Sequence, residues 1–181
     1  MTLAVHTQAP ARARPVDIGR LFDAHAAELC RYVERMTGRR ELAEEIVQDV
    51  FIVARRRQAD LVPGSNLRAW LYQVAAHHVR HQRRGTARWL RMIERFTVRP
   101  AEGHPDGPED AAAASSTARR IQRTVAKLPE VQREVFVLFE LQEVEGADIA
   151  EILGVSVNTV WSRLRLARER FRAAWAAEEA R

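Results

Sequence analysis

The sequence has little lysine and almost no cysteine, and no hydrophobic run in it is long enough to cross a bilayer. Lys127 is the only lysine among 29 basic residues, and Cys30 is the only cysteine. A single cysteine excludes an internal disulfide and a cysteine-rich metal site, so Cys30 is predicted to be a small core residue. The N-terminus also lacks the apolar stretch of a signal peptide. We therefore expect a cytoplasmic protein that does not bind a membrane.

Motifs of the common catalytic sites are also missing. The chain has no Gly-rich phosphate loop, no nucleophile elbow and no metal-binding motif. His77 and His81 have a spacing that allows chelation, but no acidic or thiol ligand lies close to them in the sequence. We therefore expect no enzymatic activity, no metal and no cofactor.

The composition suits a protein of one domain or two small ones with a polyanionic partner. The 181 residues carry a net charge of +5, and 46% of them are hydrophobic, which is enough for one or two small cores. The charge alone is weak evidence, because nearly all of it comes from arginine and could equally reflect genomic base composition.

The most informative stretch runs from Asp148 to Arg172. Apolar residues recur at helical spacing on both sides of Gly154, which is predicted to end one helix in the left-handed conformation. Ser156 is predicted to cap the next helix, and Ala150 is small enough to let the two helices approach closely. This arrangement is typical of a helix-turn-helix, whose second helix enters the major groove of DNA.

The second helix of this motif carries the candidate DNA-binding residues. Arginines dominate its exposed face, and polar side chains lie near its N-terminus, where base edges are usually read. A solvated arginine-rich helix in a bundle is the alternative, and the glycine turn favours DNA binding over it. The candidates are Asn158, Thr159, Trp161, Ser162, Arg163, Arg165 and Arg168.

Three helices are predicted in the first half of the chain, over residues 16–36, 41–57 and 66–84, the last of them capped by Ser65. On the second helix, a polar face is interpreted either as solvated or as a docking site for a basic partner. Its residues are Glu45, Gln48 and Asp49, with Ile52 beside them. No histidine or third ligand accompanies the acids, so the face does not indicate catalysis or a metal.

The far end of the third predicted helix mixes basic residues with flat rings. Such a mixture suits single-stranded bases, which stack on flat groups while cations follow the backbone. An ordinary basic helix end, favoured by the helix dipole, is the alternative interpretation. The residues are His77, His78, Arg80, His81, Arg83 and Arg84.

The sequence predicts an all-α protein with two small helical domains. The expected order is a disordered arm, a first domain, a flexible acidic linker rich in proline, a second domain that contains the helix-turn-helix, and a tail. A short amphipathic segment at residues 86–96 closes the first domain. The predicted bounds are 1–15, 16–96, 97–118, 119–175 and 176–181.

Three segments resemble bacterial RNA polymerase sigma factors of the extracytoplasmic-function (ECF) group. They are ELAEEIVQDVFIVARR, GSNLRAWLYQVA and LPEVQREVFVLFELQEVEGADIAEILGVSVNTVWSRLRLARERF. The likeness covers roughly residues 16–84 and 119–172. It implies a protein that binds core RNA polymerase and directs initiation at promoters with minus-ten and minus-thirty-five elements.

For the first domain, the resemblance implies polymerase binding and promoter melting. Glu45, Gln48 and Asp49 fall where the family contacts the clamp helices of the polymerase β′ subunit. The minus-ten element would be opened with Trp70, while Ala69 stands at a second position that is aromatic in housekeeping sigma factors, which implies stricter promoters. A loop around Ala76, His77 and His78 would capture a flipped base, and the basic end of the helix would belong to the same surface.

For the second domain, the resemblance implies reading of the minus-thirty-five element and contact with the polymerase β flap. Trp161, Ser162 and Arg165 fall at base-facing positions, and a bulky indole favours thymine methyl groups or packing over bidentate contacts with guanine. Arg163 and Arg168 would meet phosphates. The linker would run toward the polymerase active-site channel, and an anti-sigma protein would mask these surfaces until a signal arrives. The sigma factor would then be associated with the nucleoid as part of the holoenzyme.

Two other functions are compatible with the residues. A stand-alone helix-turn-helix transcription regulator would bind duplex DNA without polymerase, and a helical adaptor would bind proteins only. Specific binding of a promoter fragment by the chain alone would indicate the regulator.

Overall fold

A computed structural model of the chain describes residues 15–94 and 116–179, without the side chains of residues 83–94 and 116. Every regular element in these two ranges is helical, which confirms the all-α class. A five-residue π-helical turn, Val137–Leu141, continues the fifth helix. The helices are α1 (Ile18–Thr37), α2 (Arg40–Arg56), α3 (Leu67–Glu94), α4 (Ser116–Ala126), α5 (Glu130–Phe136), α6 (Gly146–Leu153) and α7 (Val157–Glu179).

The first domain is the bundle of α1, α2 and α3. Asp17 caps α1 by accepting a hydrogen bond from the Arg20 amide at 3.2 Å, and Gly38 ends it in the left-handed conformation at φ 74°. Tyr32 and Tyr72 are fully buried, and their rings meet edge to face with centroids 5.2 Å apart. An aromatic pair between α1 and α3 therefore anchors this core.

Helix α3 differs from the prediction in three ways. It continues unbroken to Glu94, so a separate segment at 86–96 and a loop around residues 76–78 were wrong expectations. A lone glycine such as Gly85 costs a helix only about 1 kcal/mol and does not end it. The cap is Asn66, whose Oδ1 accepts from the Ala69 amide at 3.0 Å, whereas the Ser65 hydroxyl donates to the Val62 carbonyl at 2.7 Å.

The second domain is formed by α4 to α7. Phe171 stacks on both Phe136 and Trp175, with centroid distances of 4.8 Å and 5.7 Å. The Arg120 guanidinium lies 3.8 Å from the centroid of the Trp175 ring, a cation–π contact that ties α4 to the end of α7.

The predicted linker and termini are mostly outside the described residues. Helix α4 begins at Ser116, three residues inside the segment expected to be a linker. Residues 1–14 of the arm, the remaining linker residues and the last two residues of the tail lie beyond the described ranges. Among the described helices, none has both the length and the apolar content that crossing a membrane requires.

Candidate nucleic-acid interface

The helix-turn-helix consists of α6, a short turn and α7. Gly154 has φ 64° and ends α6, and the Val155 amide donates to the Ala150 carbonyl at 3.0 Å. Ser156 then accepts from the Thr159 amide at 3.2 Å, which confirms the predicted cap of α7. Val160, Leu164 and Ala167 are buried against the rest of the domain. The predicted glycine turn is therefore present, and α7 has one buried and one exposed side.

The exposed side of α7 contains most of the candidate base-reading residues. Asn158, Trp161, Ser162 and Arg165 are exposed, whereas Thr159 is half-buried and shares a hydrogen bond with Ser156 through its hydroxyl at 2.8 Å. The Trp161 residue is 45% exposed, and its ring meets that of Phe139 edge to face at a centroid distance of 5.5 Å. The helix thus presents polar side chains and one fixed aromatic ring on the same side.

The arginines of α7 are not equivalent. Arg165 is exposed and pairs with Glu169 at 2.7 Å, one helical turn later. Arg168 donates from Nε to Glu140 at 2.6 Å, and its guanidinium lies 5.4 Å from the centroid of the Phe139 ring. Arg163 is half-buried on another side of the helix, where its charge acts on the carboxylate of Glu134.

The polar face of α2 is open to solvent. Glu45, Gln48 and Asp49 are all exposed, and Ile52, one turn further on, is 48% exposed. The opposite side of the helix is buried in the first domain. This surface combines two carboxylates, an amide and an apolar side chain, a composition suited to docking on a basic protein surface.

The candidates on α3 divide into exposed and covered residues. His77 and His81 are exposed, and their rings stack with centroids 6.4 Å apart. His78 is half-buried with Nδ1 2.9 Å from the Val74 carbonyl oxygen, and Ala76 is fully buried. The described side chains include no cluster of three or more metal-ligating groups. Arg83 and Arg84 are also candidates, but their side chains lie outside those described.

Two further candidates on α3 lie against the second domain. Trp70 is half-buried and lines a groove together with Leu61, Gln73 and Glu151. Arg80 donates from Nη1 to the Glu134 carboxylate at 3.0 Å.

Family models match both domains. The model described as Sigma-70 region 2 matches residues 21–89, and that described as Sigma-70, region 4 matches residues 118–171. The ECF RNA polymerase sigma factor SigL of Mycobacterium tuberculosis is 33% identical over 150 residues, which are 81% of this chain and 82% of that relative. The chain belongs to the ECF group of RNA polymerase sigma factors.

Other relatives agree with this identification. RNA polymerase sigma factor YlaC of Bacillus subtilis is 29% identical over 155 residues, or 82% of this sigma factor and 86% of YlaC. The co-crystal structure of the sigma factor RpoE with the anti-sigma factor NepR, from Bartonella quintana, superposes with a TM-score of 0.71 at 23% identity. It covers 87% of this chain and 96% of RpoE, and it shows that the fold is shared.

The two domains of this sigma factor contact each other through residues that the sequence did not single out. The Asn66 side-chain amide donates to Asp148 at 3.0 Å and to Glu151 at 3.3 Å, and Gln73 donates to the Glu151 carbonyl at 2.9 Å. Gln122 donates to the Arg35 carbonyl at 3.1 Å at the other side of the interface. No local sequence pattern predicts these hydrogen bonds, because the two residues of each pair are about eighty positions apart in the sequence.

The most buried of these contacts involves Glu134. Glu134 is only 3% exposed, and its burial raises the pKa of its carboxyl group. The neighbouring Arg80 lowers this pKa, but by less than burial raises it. The Arg163 charge also favours the ionised carboxylate. Two arginines that were expected to meet DNA therefore act on a single glutamate at the domain interface.

Proposed function

We propose that this sigma factor docks on core RNA polymerase through the exposed face of α2 and reads a promoter with α3 and α7. The observation that carries the proposal is the coexistence of two separate polar surfaces, on α2 and α7, in the two domains that the sigma family models match. The chain acts by binding and positioning, and the chemistry of RNA synthesis belongs to the polymerase.

The α2 face is the proposed contact with the clamp helices of the β′ subunit. Glu45, Gln48 and Asp49 are exposed together, and Ile52 supplies an apolar centre beside them. Charged groups around an apolar centre give an interface both orientation and fast association. The second domain would in addition contact the β flap.

The α7 surface is the proposed reader of the minus-thirty-five element in duplex DNA. Asn158, Trp161, Ser162 and Arg165 lie on its exposed side, which is the geometry that a recognition helix needs in the major groove. Arg168 lies at the edge of this surface and is suited to a phosphate, whereas Arg163 is half-buried and its charge acts on the carboxylate of Glu134. We therefore propose base contacts for the first group and a phosphate contact for Arg168.

The α3 surface is the proposed reader of the melted minus-ten strand. His77 and His81 offer two exposed rings, and Trp70 offers a third ring at the edge of the groove. Bases of a parted strand stack on such rings while cations follow the backbone. Ala76 and His78 support this surface from within rather than contacting bases directly, because Ala76 is buried and His78 is bonded to its own helix.

The contact between the domains has to open during this function. Elements that are about 25 base pairs apart, as their names imply, are separated by roughly 85 Å along B-DNA. Two domains in contact cannot lie on both elements at once. The closed arrangement is therefore the proposed state before promoter binding, and opening would release Arg80 from Glu134 for the minus-ten strand.

The segment between the two domains is long enough for this opening. The residues between Glu94 and Ser116 number twenty-one. When extended, such a stretch spans at most about 70–75 Å, and the width of the domains adds to that reach. We propose that it is the linker of the predicted organisation and that it runs toward the active-site channel of the polymerase.

An anti-sigma protein is the proposed regulatory partner. RpoE of Bartonella quintana was crystallised in complex with the anti-sigma factor NepR, and its fold matches both domains of this chain. A protein that binds across the interface and stabilises the closed arrangement would cover the promoter-reading surfaces of both domains. The holoenzyme would act at the nucleoid, in the cytoplasm, once that protein is released.

A run-off transcription assay tests the proposed function. Core RNA polymerase is incubated with and without the full chain on genomic fragments, and transcripts are mapped to their start sites. We expect new start sites that depend on the chain and on both promoter elements. A chain that binds one promoter fragment tightly without polymerase, and leaves the start sites unchanged, would be a stand-alone regulator instead.

A further inference from the structure

Gly146, the first residue of α6, lies directly against the indole of Trp161 on α7. A Cβ atom added to Gly146 would be 2.6 Å from Cζ2 and 2.8 Å from Cη2 of Trp161. Both distances are shorter than any normal carbon–carbon contact, so alanine at this position would displace the ring. The absence of a side chain at Gly146 therefore creates the space that the ring occupies.

The backbone of Gly146 does not itself require glycine. The residue lies within a right-handed helix and is absent from the positive-φ positions, which include Gly38, Gly64 and Gly154. In a helix, glycine is less stable than alanine by about 0.5–1 kcal/mol. The structure thus contains a glycine where the backbone alone would favour alanine, and the three atoms nearest to its missing side chain all belong to the Trp161 ring.

The Trp161 ring also contacts Phe139. The two rings meet nearly at right angles, with an interplanar angle of 80°. Phe139 is held in turn by Arg168, which lies over its face and is bonded to Glu140. Two contacts, one with the backbone of Gly146 and one with the ring of Phe139, therefore fix the indole while 45% of the residue remains exposed.

We propose that Gly146 is a positioning residue for promoter specificity, which seats the Trp161 indole so that its exposed part meets the minus-thirty-five base pairs in one orientation. This inference rests on the proposed function of α7. A ring that is already fixed loses little rotamer freedom on binding, and its apolar edge distinguishes a thymine methyl group from the other bases. The size of residue 146 would thereby set a base preference although that residue itself touches no DNA.

A thermal double-mutant cycle tests the packing without any DNA. In the full chain, Gly146→Ala should lower Tm, because the new methyl group displaces the indole. In the Trp161→Ala background, the same substitution should raise Tm by a few degrees, since the clash is gone and the helix propensity of alanine remains. If Gly146→Ala changed Tm in the same direction in both backgrounds, the packing argument would be wrong.

A promoter selection tests the specificity. Holoenzyme reconstituted with each variant selects from a promoter library randomised in the minus-thirty-five element. Gly146→Ala should change discrimination at one base pair by about fivefold, the lower end of the cost of a single mismatch, and Trp161→Ala should change the same base pair. The double variant should match Trp161→Ala alone. Gly19→Ala, a helical substitution in the first domain, should leave the preference unchanged.

The possible outcomes separate the two proposals. If the unmodified holoenzyme selects no minus-thirty-five sequence, the proposed function of α7 fails. If it selects one, and Gly146→Ala leaves that preference intact or changes it equally with and without Trp161, the positioning role of Gly146 is wrong while the function of α7 stands.

Discussion

Arg80 of the first domain and Glu134 of the second form an ion pair at 3.0 Å, and the glutamate is almost entirely buried. The same arginine is a candidate contact of the melted minus-ten strand. If Arg80 meets a phosphate of that strand, as proposed, its ion pair with Glu134 has to break first. The proposed function therefore requires this ion pair to be present in the closed arrangement and absent on the promoter.

The closed arrangement can be tested at Asn66. Asn66→Asp keeps an effective helix cap but sets a third carboxylate against Asp148 and Glu151. Repulsion between exposed like charges of about 0.5–1 kcal/mol should shift the balance toward the open form by roughly two- to fivefold. Small-angle scattering should report a larger radius of gyration, and high salt should reverse the effect.

Asn66→Ser is the matched control for this experiment, because serine also caps a helix but adds no charge. An equal expansion with serine would mean that the lost amide hydrogen bonds, rather than charge repulsion, keep the domains together. No expansion with aspartate would contradict the assigned contact.

The polymerase-binding face can be tested at Asp49. Asp49→Arg reverses the charge at the centre of the α2 surface and should weaken binding to core polymerase about tenfold or more. Binding of the second domain to minus-thirty-five DNA should not change. Titration of labelled chain with core enzyme measures the effect, and Asp23→Arg makes the same charge change at an exposed position of α1. Equal affinities for the two variants would rule out the assigned face.

A half-buried ion pair in the first domain should make stability depend on pH. Arg68 donates to both oxygens of Glu28 at 3.1–3.2 Å, and His25 lies 2.7 Å from one of them. Burial alone would raise the pKa of Glu28, but these hydrogen bonds outweigh it and lower the pKa below its usual 4.5. The stabilisation is therefore present above pH 4.5 and is lost as the pH falls through the lowered pKa.

Glu28→Gln should remove this dependence. At pH 7 we expect the free energy of unfolding to fall by on the order of 1–2 kcal/mol relative to the unmodified chain. This difference between the two chains should become smaller as the pH is lowered toward 3. Urea denaturation at a series of pH values measures it. Glu44→Gln alters an exposed pair with Arg40 and should cost less than about 0.5 kcal/mol. A constant difference across the pH series would contradict the assignment.

The turn of the helix-turn-helix can be tested at Gly154. Gly154→Ala should destabilise the second domain by about 1–2 kcal/mol, because the residue adopts φ 64° and a Cβ there meets no other atom within 4 Å. The cost is thus one of backbone conformation alone. Gly154→Asn should cost less, since asparagine tolerates the left-handed region, and thermal unfolding of the two variants compares them. If both variants lost the same stability, a contact of residue 154, rather than its backbone conformation, would explain the effect.

Local signals account for what the sequence predicted correctly. The left-handed glycine and the serine cap of the helix-turn-helix depend on residues within a few positions of each other, so Gly154 and Ser156 were identified. The same logic chose Ser65 as a cap where the neighbouring Asn66 has that role, because both residues are good caps and only the backbone geometry distinguishes them.

Long-range contacts account for what the sequence could not predict. Arg163 and Arg165 were both assigned to DNA, yet two residues along a helix point to sides about 200° apart, and only packing decides which side is covered. The partners of Asn66 are 82 and 85 positions away, and nothing in either segment indicates the other. Site residues at a domain interface therefore required the structure.

The contact between Arg120 and Trp175 brings the beginning and the end of the second domain side by side. A domain whose two ends lie close together can replace the corresponding domain of another protein without distorting the rest of that protein. Residues 116–179, spliced in place of the corresponding part of another sigma factor, would carry their upstream sequence preference into a chimera whose minus-ten behaviour remains that of the host.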